Sequence, residues 1–314
     1  MPRESKFVSA VMYLHNDEAR IEAFLSMVTK ALAEGFEKYE LIFVNDASAD
    51  ASVARLYEFF SEHQMDGQMV SIIQMSHFQG LEAAMNAGRD LAIGDFVYEF
   101  DDLCVDYEPG VLDVVYRRML EGFDIVAACS DGRPRLTSAL FYELYNSVSH
   151  DGGKIGPEAF RILSRRAINR VKTLGSYIPY RKAVYRNCGL NADTVIYRST
   201  MGPGKKTVHT NQTERASLAV DSFIYFTDIL EKISLWVSAL FLGITIFMAG
   251  YILYEYFGAD QPVEGWLSTM GFLSLGFMGV FMLLTIVLKY LSLLLNLIFK
   301  RQRYLIAGVE KIVH

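Results

Sequence analysis

Apolar and polar positions alternate in blocks along the first part of the chain. Five short runs rich in β-branched and apolar residues occur at Phe7 to Leu14, Glu40 to Val44, Val70 to Met75, Phe96 to Phe100 and Ile125 to Ala128. Between them Glu18 to Ala33, Ala51 to Glu62, Leu81 to Ile93 and Gly110 to Glu121 carry apolar residues at helical spacing. Strands alternating with helices at these distances predict βαβ units and a mostly parallel, Rossmann-like sheet. From Arg133 to Lys206 the strand signal weakens and basic residues become frequent. Ser217 to Lys232 then reads as an amphipathic helix suited to a membrane interface.

Two long apolar stretches follow. Ile233 to Tyr254 and Trp266 to Leu288 contain no charged residue. Each reaches the ~20 residues that a helix needs to cross a hydrocarbon core. They are expected to form a two-helix transmembrane hairpin; a buried hairpin in a soluble core is the alternative. The intervening segment holds Glu255, Asp260 and Glu264 and no Lys or Arg. Lys232 precedes the first stretch, and Lys289, Lys300, Arg301, Arg303 and Lys311 follow the second. The positive-inside rule then places both termini in the cytoplasm. Trp236, Trp266, Tyr251, Tyr254 and Tyr256 suit interfacial anchoring. The expected organisation is a cytoplasmic α/β domain over 1–214, a juxtamembrane helix over 215–232, crossings over 233–254 and 266–288, and a basic tail over 289–314.

Composition supports this division. Of the 314 residues 52% are hydrophobic, and the excess lies after Ile233. The net charge of −6 argues against general nucleic-acid binding. Cys104, Cys129 and Cys188 lack paired spacing, so neither a disulfide framework nor a zinc site is expected. The opening MPRESKFVSA has no signal-peptide core, and the first domain is expected to face the cytoplasm of a bacterial inner membrane.

In parallel sheets ligands gather beyond the carboxyl ends of the strands. The predicted strands end in His15-Asn16-Asp17-Glu18, Asn45-Asp46-Ala47-Ser48-Ala49-Asp50, Ser76-His77-Phe78-Gln79-Gly80 and Asp101-Asp102. Some of these residues could simply cap helices. Their shared edge is the stronger signal. Glu99 and Asp101 lie on one side of a strand because side chains alternate. Paired carboxylates suit Mg²⁺ or Mn²⁺ bridging to phosphates. Asp46 and Glu18 sit where a base or ribose could be read. The downstream arginines and lysines suit phosphate, although a solvated basic face beside an anionic membrane would look similar. No G-x-x-x-x-G-K-[ST] loop, no G-x-G-x-x-G after the first strand and no G-x-S-x-G elbow occurs.

These motifs resemble the family 2 glycosyltransferases of GT-A fold, in particular those that act on polyprenyl phosphate. The resemblance covers nearly the whole chain. His15-Asn16-Asp17-Glu18 resembles Y-N-E-E, and Val44 to Asp50 resembles V-D-D-G-S-x-D. Ser76 to Gly80 resembles the R-N-x-G segment, and Glu99-Phe100-Asp101 the D-x-D metal motif, with Asp101-Asp102 an alternative register. Phe160 to Arg165 is similar to F-R-L-x-x-R, and Arg198 with Gly202 to Lys205 to the diphosphate loop. Tyr13, Asn45, Ala47, Glu99 and Ala159 depart from the usual residues. No Q-x-x-R-W motif of processive synthases occurs.

The resemblance implies an inverting transfer of a sugar, by default from UDP-glucose, to polyprenyl phosphate. Glu18 and Asp46 would lie near the base, and Glu99 and Asp101 would hold Mg²⁺ or Mn²⁺. Arg198 and Lys205 would close over the diphosphate, and Arg133, Arg135 and Arg161 would hold the acceptor phosphate. Asp101 and these three arginines form the expected catalytic set. A homo-oligomer such as a tetramer would be in keeping with the family. Another lipid acceptor, such as diacylglycerol, or a non-catalytic membrane scaffold are the alternatives.

Overall fold

The computed structural model describes residues 3–63, 68–132, 156–174, 180–200, 265–299 and 304–312, with isolated positions at 143, 236, 239, 243 and 247. The chain divides into two compact units, Met1–Ala219 with Arg301–His314, and Val220–Lys300.

The first unit follows the expected alternation closely. Strand β1 (Val8–Leu14) leads to α1 (Ile21–Gly35), β2 (Tyr39–Asn45), α2 (Ser52–Glu62), β3 (Met69–Met75), α3 (Leu81–Leu91), β4 (Phe96–Phe100), α4 (Gly110–Leu120) and β5 (Ile125–Ser130). β1 and β2 are buried along almost their whole length, as central parallel strands covered on both faces must be. The elements that follow were not legible as such: β6 (Glu158–Ser164), α5 (Arg165–Leu174), α6 (Arg181–Asn187) and β7 (Ala192–Tyr197).

The sheet order is β7-β5-β6-β4-β1-β2-β3-β8, where β8 is Ile306–Ile312. β1 pairs in parallel with β2 and β4, β2 with β3, and β5 with β7. β6 runs antiparallel between β4 and β5, and β8 runs antiparallel to β3. The region expected to be a basic tail therefore contains a strand of the first unit. Tyr57 and Gln74 both bond Glu310 of that strand.

Helices cover both faces. Phe24, Val28, Leu32, Leu56, Phe60, Leu112 and Val115 from α1, α2 and α4 pack on one side. Ala84, Met85, Ala87, Ile168, Val171 and Tyr185 from α3, α5 and α6 pack on the other. Gly88 lets α3 approach the sheet: a Cβ there would lie 2.3 Å from Val11 Cγ1 and 2.7 Å from Val44 Cγ2.

The second unit contributes α7 (Trp266–Phe299), an unbroken helix of 34 residues. At ~1.5 Å per residue it is about 51 Å long. Phe277, Val280, Met282, Leu284, Val287, Leu288, Leu291 and Leu294 are exposed along it. Among the described residues no helix is long and apolar enough to cross a membrane. The expected first crossing and the juxtamembrane helix lie outside the described residues, apart from isolated positions.

Candidate active site

β1 and β4 are neighbours, but the chain proceeds from β1 through β2 and β3 on one side before returning to β4 on the other. The strand order thus reverses at β1/β4, where a crevice beyond the carboxyl ends is expected. The residues after these strands meet there. Arg20, at the start of α1, bonds Asp17 and reaches across to Asp102 at 2.5 Å. Asp102 also accepts the Cys104 amide at 3.1 Å and stays part-exposed, at 23%. Burial pushes the Asp102 carboxyl up; Arg20 opposes this and Asp17 adds to it.

The loops after β1 and β2 are laced together. Asn16 takes a left-handed backbone, φ 55°, donates from its amide to Ser48 Oγ at 3.1 Å, and accepts the Ala49 amide at 2.8 Å. The Asp17 amide donates to Ser52 Oγ at 2.7 Å, and the Glu18 amide to Asp50 Oδ2 at 3.1 Å. Glu18 itself is half-buried and lies 3.8 Å from Arg55. Asp46 is fully buried. Its carboxylate accepts the Gln79 and Gly80 amides at 2.8 Å each and the Tyr13 hydroxyl at 3.1 Å. His15 Nδ1 donates to its carbonyl at 2.7 Å. Asp46 thus joins the ends of β1, β2 and β3. Gly80, with φ 86°, supplies the turn that aims its amide at Asp46.

On the other side of β4 lies a buried ion cluster. β6 places Arg161 directly opposite Glu99 in the ladder. Arg161 donates to Glu99 at 2.9 Å, Asp101 at 2.5 Å and Glu158 at 2.9 Å. Arg181, from α6, donates to Glu99 at 2.8 Å, Asp101 at 2.7 Å and Glu82 at 2.7 Å. Tyr185 donates to Glu99 at 2.7 Å and accepts from Arg89 at 3.0 Å. Glu99 and Arg181 are 0% exposed, Arg161 is 1% and Asp101 is 14%. Burial pushes the Asp101 carboxyl up, but Arg161, Arg181 and Lys182 outweigh it and hold it well below the usual range.

The expected site residues therefore separate. Glu99 and Asp101 do share a face, as alternation required, but both oxygens of Glu99 are enclosed by Arg161, Arg181 and Tyr185. Arg161, expected at an acceptor phosphate, is instead held inside by three carboxylates. Arg198 is exposed just after β7. Its turn is tied by the Ser199 amide to Asp131 at 3.1 Å and by the Thr200 amide to the Asp106 carbonyl at 2.9 Å. Arg133, Arg135 and Lys205 lie outside the described residues. Arg181, Glu82, Tyr185 and Arg20 lie outside the set of site residues expected from the sequence. Among the described residues no three carboxylate, histidine or cysteine side chains converge as a metal-binding set.

Residues 9–173 match the profile of Glycosyl transferase family 2. The chain belongs to glycosyltransferase family 2. It is similar to an uncharacterized glycosyltransferase, YkcC, of Bacillus subtilis, with 25% identity over 88% of this chain and 85% of that one. It is also similar to the bactoprenol glucosyl transferase of Shigella phage SfV, with 25% identity over 87% and 88% of the two chains. Among solved structures it resembles the mannosyltransferase PcManGT of Pyrobaculum calidifontis, held in complex with GDP-Man and Mn²⁺. That likeness has a TM-score of 0.50 and 15% identity over 95% of this chain and 89% of the other, and it speaks for the GT-A fold. The expected fold class of this glycosyltransferase is thereby met in its α/β domain.

Proposed function

We propose that this family 2 glycosyltransferase moves a sugar from a nucleotide sugar, UDP-glucose by expectation, to a polyprenyl phosphate at the cytoplasmic face of a membrane. The observation that carries the reading is the meeting of Asp17, Arg20 and Asp102 beyond the carboxyl ends of β1 and β4, where the strand order reverses, backed by the arginine-caged carboxylates of β4. Similarity to a bactoprenol glucosyl transferase along most of both chains supports the acceptor.

A divalent cation fits the crevice only in part. Glu99 does not suit it, being buried and enclosed by two guanidinium groups. Asp102 suits it better: it is part-exposed at the crevice edge, beside Arg20, and burial and Asp17 push its carboxyl up against the opposing effect of Arg20. Asp101, ionised by its arginines and adjacent in the chain, is its natural partner, since each carboxylate oxygen has a second lone pair. We therefore assign Mg²⁺ or Mn²⁺ to Asp101-Asp102 rather than to Glu99-Asp101. Bound there, the cation would supply charge neutralisation for a departing diphosphate.

The protein's own residues do the rest. Arg161 and Arg181 fix Asp101 in its ionised form and set its orientation. Asp46 anchors the loops around the nucleotide, leaving Glu18 and the exposed Asn16 nearer to it. Arg198 and Lys205 close over the diphosphate, and Arg133 and Arg135 hold the acceptor phosphate. An acceptor phosphate oxygen attacks the anomeric carbon, the bond to the diphosphate breaks, and nucleoside diphosphate leaves with inversion. The phosphate is already anionic at neutral pH and needs no general base. Rate enhancement then comes from positioning and charge stabilisation.

The chain's path supports a membrane hairpin. β8 pairs with β3, so the segments before and after the apolar stretches lie on one side of any bilayer. That requires an even number of crossings, and the sequence supplies two apolar stretches. The reading is tested with full-length protein in detergent and Mn²⁺, given a panel of nucleotide sugars with undecaprenyl phosphate, diacylglycerol or no lipid. Nucleoside diphosphate release requiring one nucleotide sugar and undecaprenyl phosphate is expected. Release with diacylglycerol instead would move the acceptor, and binding without release under any condition would favour a scaffold.

A further inference from the structure

Leu305, just before β8, is built into the loop that follows β3. Met75 pairs with Ile306 at the end of the β3–β8 ladder. Beyond that pair the contact continues through a side chain. Gln79 Nε2 donates to the Leu305 carbonyl at 2.7 Å, and Gln79 Oε1 accepts the Leu305 amide at 2.8 Å. The primary amide of Gln79 thus substitutes for a peptide group and satisfies both backbone groups of Leu305. The Ser76 amide donates to the same carbonyl at 3.0 Å. One residue earlier the Tyr304 hydroxyl donates to Asp90 at 2.9 Å, at the far end of α3.

The loop held in this way is the one that reaches Asp46. The Gln79 amide and the Gly80 amide both donate to that carboxylate. Gly80 opens α3, whose Glu82 accepts from Arg181, and Arg181 in turn donates to Asp101. Hydrogen bonds therefore connect Leu305 through Gln79 to Asp46, and the short chain from Gly80 to Glu82 links this loop to the Glu82–Arg181–Asp101 set.

We propose that Tyr304-Leu305 is a latch on the Ser76–Gly80 loop, with Gln79 as its positioning residue. Nucleotide-sugar affinity then depends on docking of Tyr304-Leu305. The affinity part of this proposal rests on the crevice being the nucleotide-sugar site. Loss of two hydrogen bonds that hold an exposed loop is expected to weaken ligand binding by about tenfold.

The test compares wild type with Gln79→Leu and Gln79→Glu as full-length proteins in detergent. Gln79→Glu keeps the acceptor for the Leu305 amide and loses the donor to its carbonyl. Hydrogen exchange is followed at peptides covering residues 76–80 and 304–312, with β1 and β2 as controls. KM and kcat are measured with UDP-glucose and undecaprenyl phosphate. In Gln79→Leu, exchange of both peptides is expected to rise about tenfold with β1 and β2 unchanged. KM should rise about tenfold with kcat within about twofold, and Gln79→Glu should fall between. Unchanged exchange in Gln79→Leu would overturn the latch. Faster exchange with an unchanged KM would overturn its link to affinity. A wild-type protein that neither binds nor turns over a nucleotide sugar would instead overturn the site reading, while exchange still decides the latch.

Discussion

Glu99→Gln separates an internal counter-ion from a metal ligand. Glu99 is 0% exposed and accepts from Arg161 at 2.9 Å, Arg181 at 2.8 Å and Tyr185 at 2.7 Å. Gln preserves volume and removes the charge. Among the described residues Arg161 and Arg181 then keep Asp101, Glu82 and Glu158 as charged partners. Removing one partner of a buried ion pair costs ~3–5 kcal/mol. For a folded unit of this size ~1 kcal/mol moves the Tm by ~2–4 °C, so a fall of about 6–20 °C is expected. Thermal unfolding by circular dichroism on full-length protein in detergent reads the loss. Mn²⁺ binding followed by electron paramagnetic resonance on the same samples reads the metal. Glu99→Gln should lower the Tm and leave Mn²⁺ affinity within about twofold. Asp102→Asn should do the reverse, weakening Mn²⁺ by about tenfold, or ~1.4 kcal/mol. An unchanged Tm with abolished Mn²⁺ binding in Glu99→Gln would refute this reasoning and return Glu99 to the metal.

Three further outcomes follow from particular contacts. Gly88→Ala places a Cβ against Val11 and Val44, and overpacking of this kind should destabilise by ~1–3 kcal/mol in urea unfolding; no loss would mean α3 can back away from the sheet. Ala47 holds φ 52° on an exposed turn, a left-handed backbone that costs an L-residue ~1–2 kcal/mol, so Ala47→Gly should raise the Tm by a few degrees, and a lower Tm would count against the strained turn. The Asp101 carboxyl is held low in the folded state against burial by Arg161 and Arg181, so it contributes stability above its unfolded value of ~3.9 that is lost as pH falls through the folded value. Acid unfolding should be shallower in Asp101→Asn than in wild type, and parallel curves would contradict the cage.

Local pattern carried the first half of the fold because its strands obey a simple rule. β1 through β5 are parallel and apolar, and each is separated from the next by a helix with one apolar face. The legibility ended where charge entered the interior. β6 carries Arg161 at its centre, which reads as a surface residue until three carboxylates are seen around it. Arg181 belongs to the same case, since its burial depends on Glu82 and Asp101, far off in sequence. β8 has mostly exposed side chains and no alternation, and only its pairing with β3 defines it. At the site, alternation placed Glu99 and Asp101 on one face. It carries no information on whether that face opens to solvent or onto Arg161 and Arg181. Arg181 stands within a run of basic residues, and nothing in that run sets it apart from solvated neighbours.

The central claim is transfer to a lipid phosphate, and the lipid product tests it most directly. Full-length protein would be incubated with UDP-glucose, Mn²⁺ and undecaprenyl phosphate, and the extracted lipid examined by mass spectrometry. The account predicts undecaprenyl phosphate heavier by one anhydrohexose, formed in equal amount to UDP. UDP formation with unmodified undecaprenyl phosphate, or hexose found only on a neutral lipid, would contradict it.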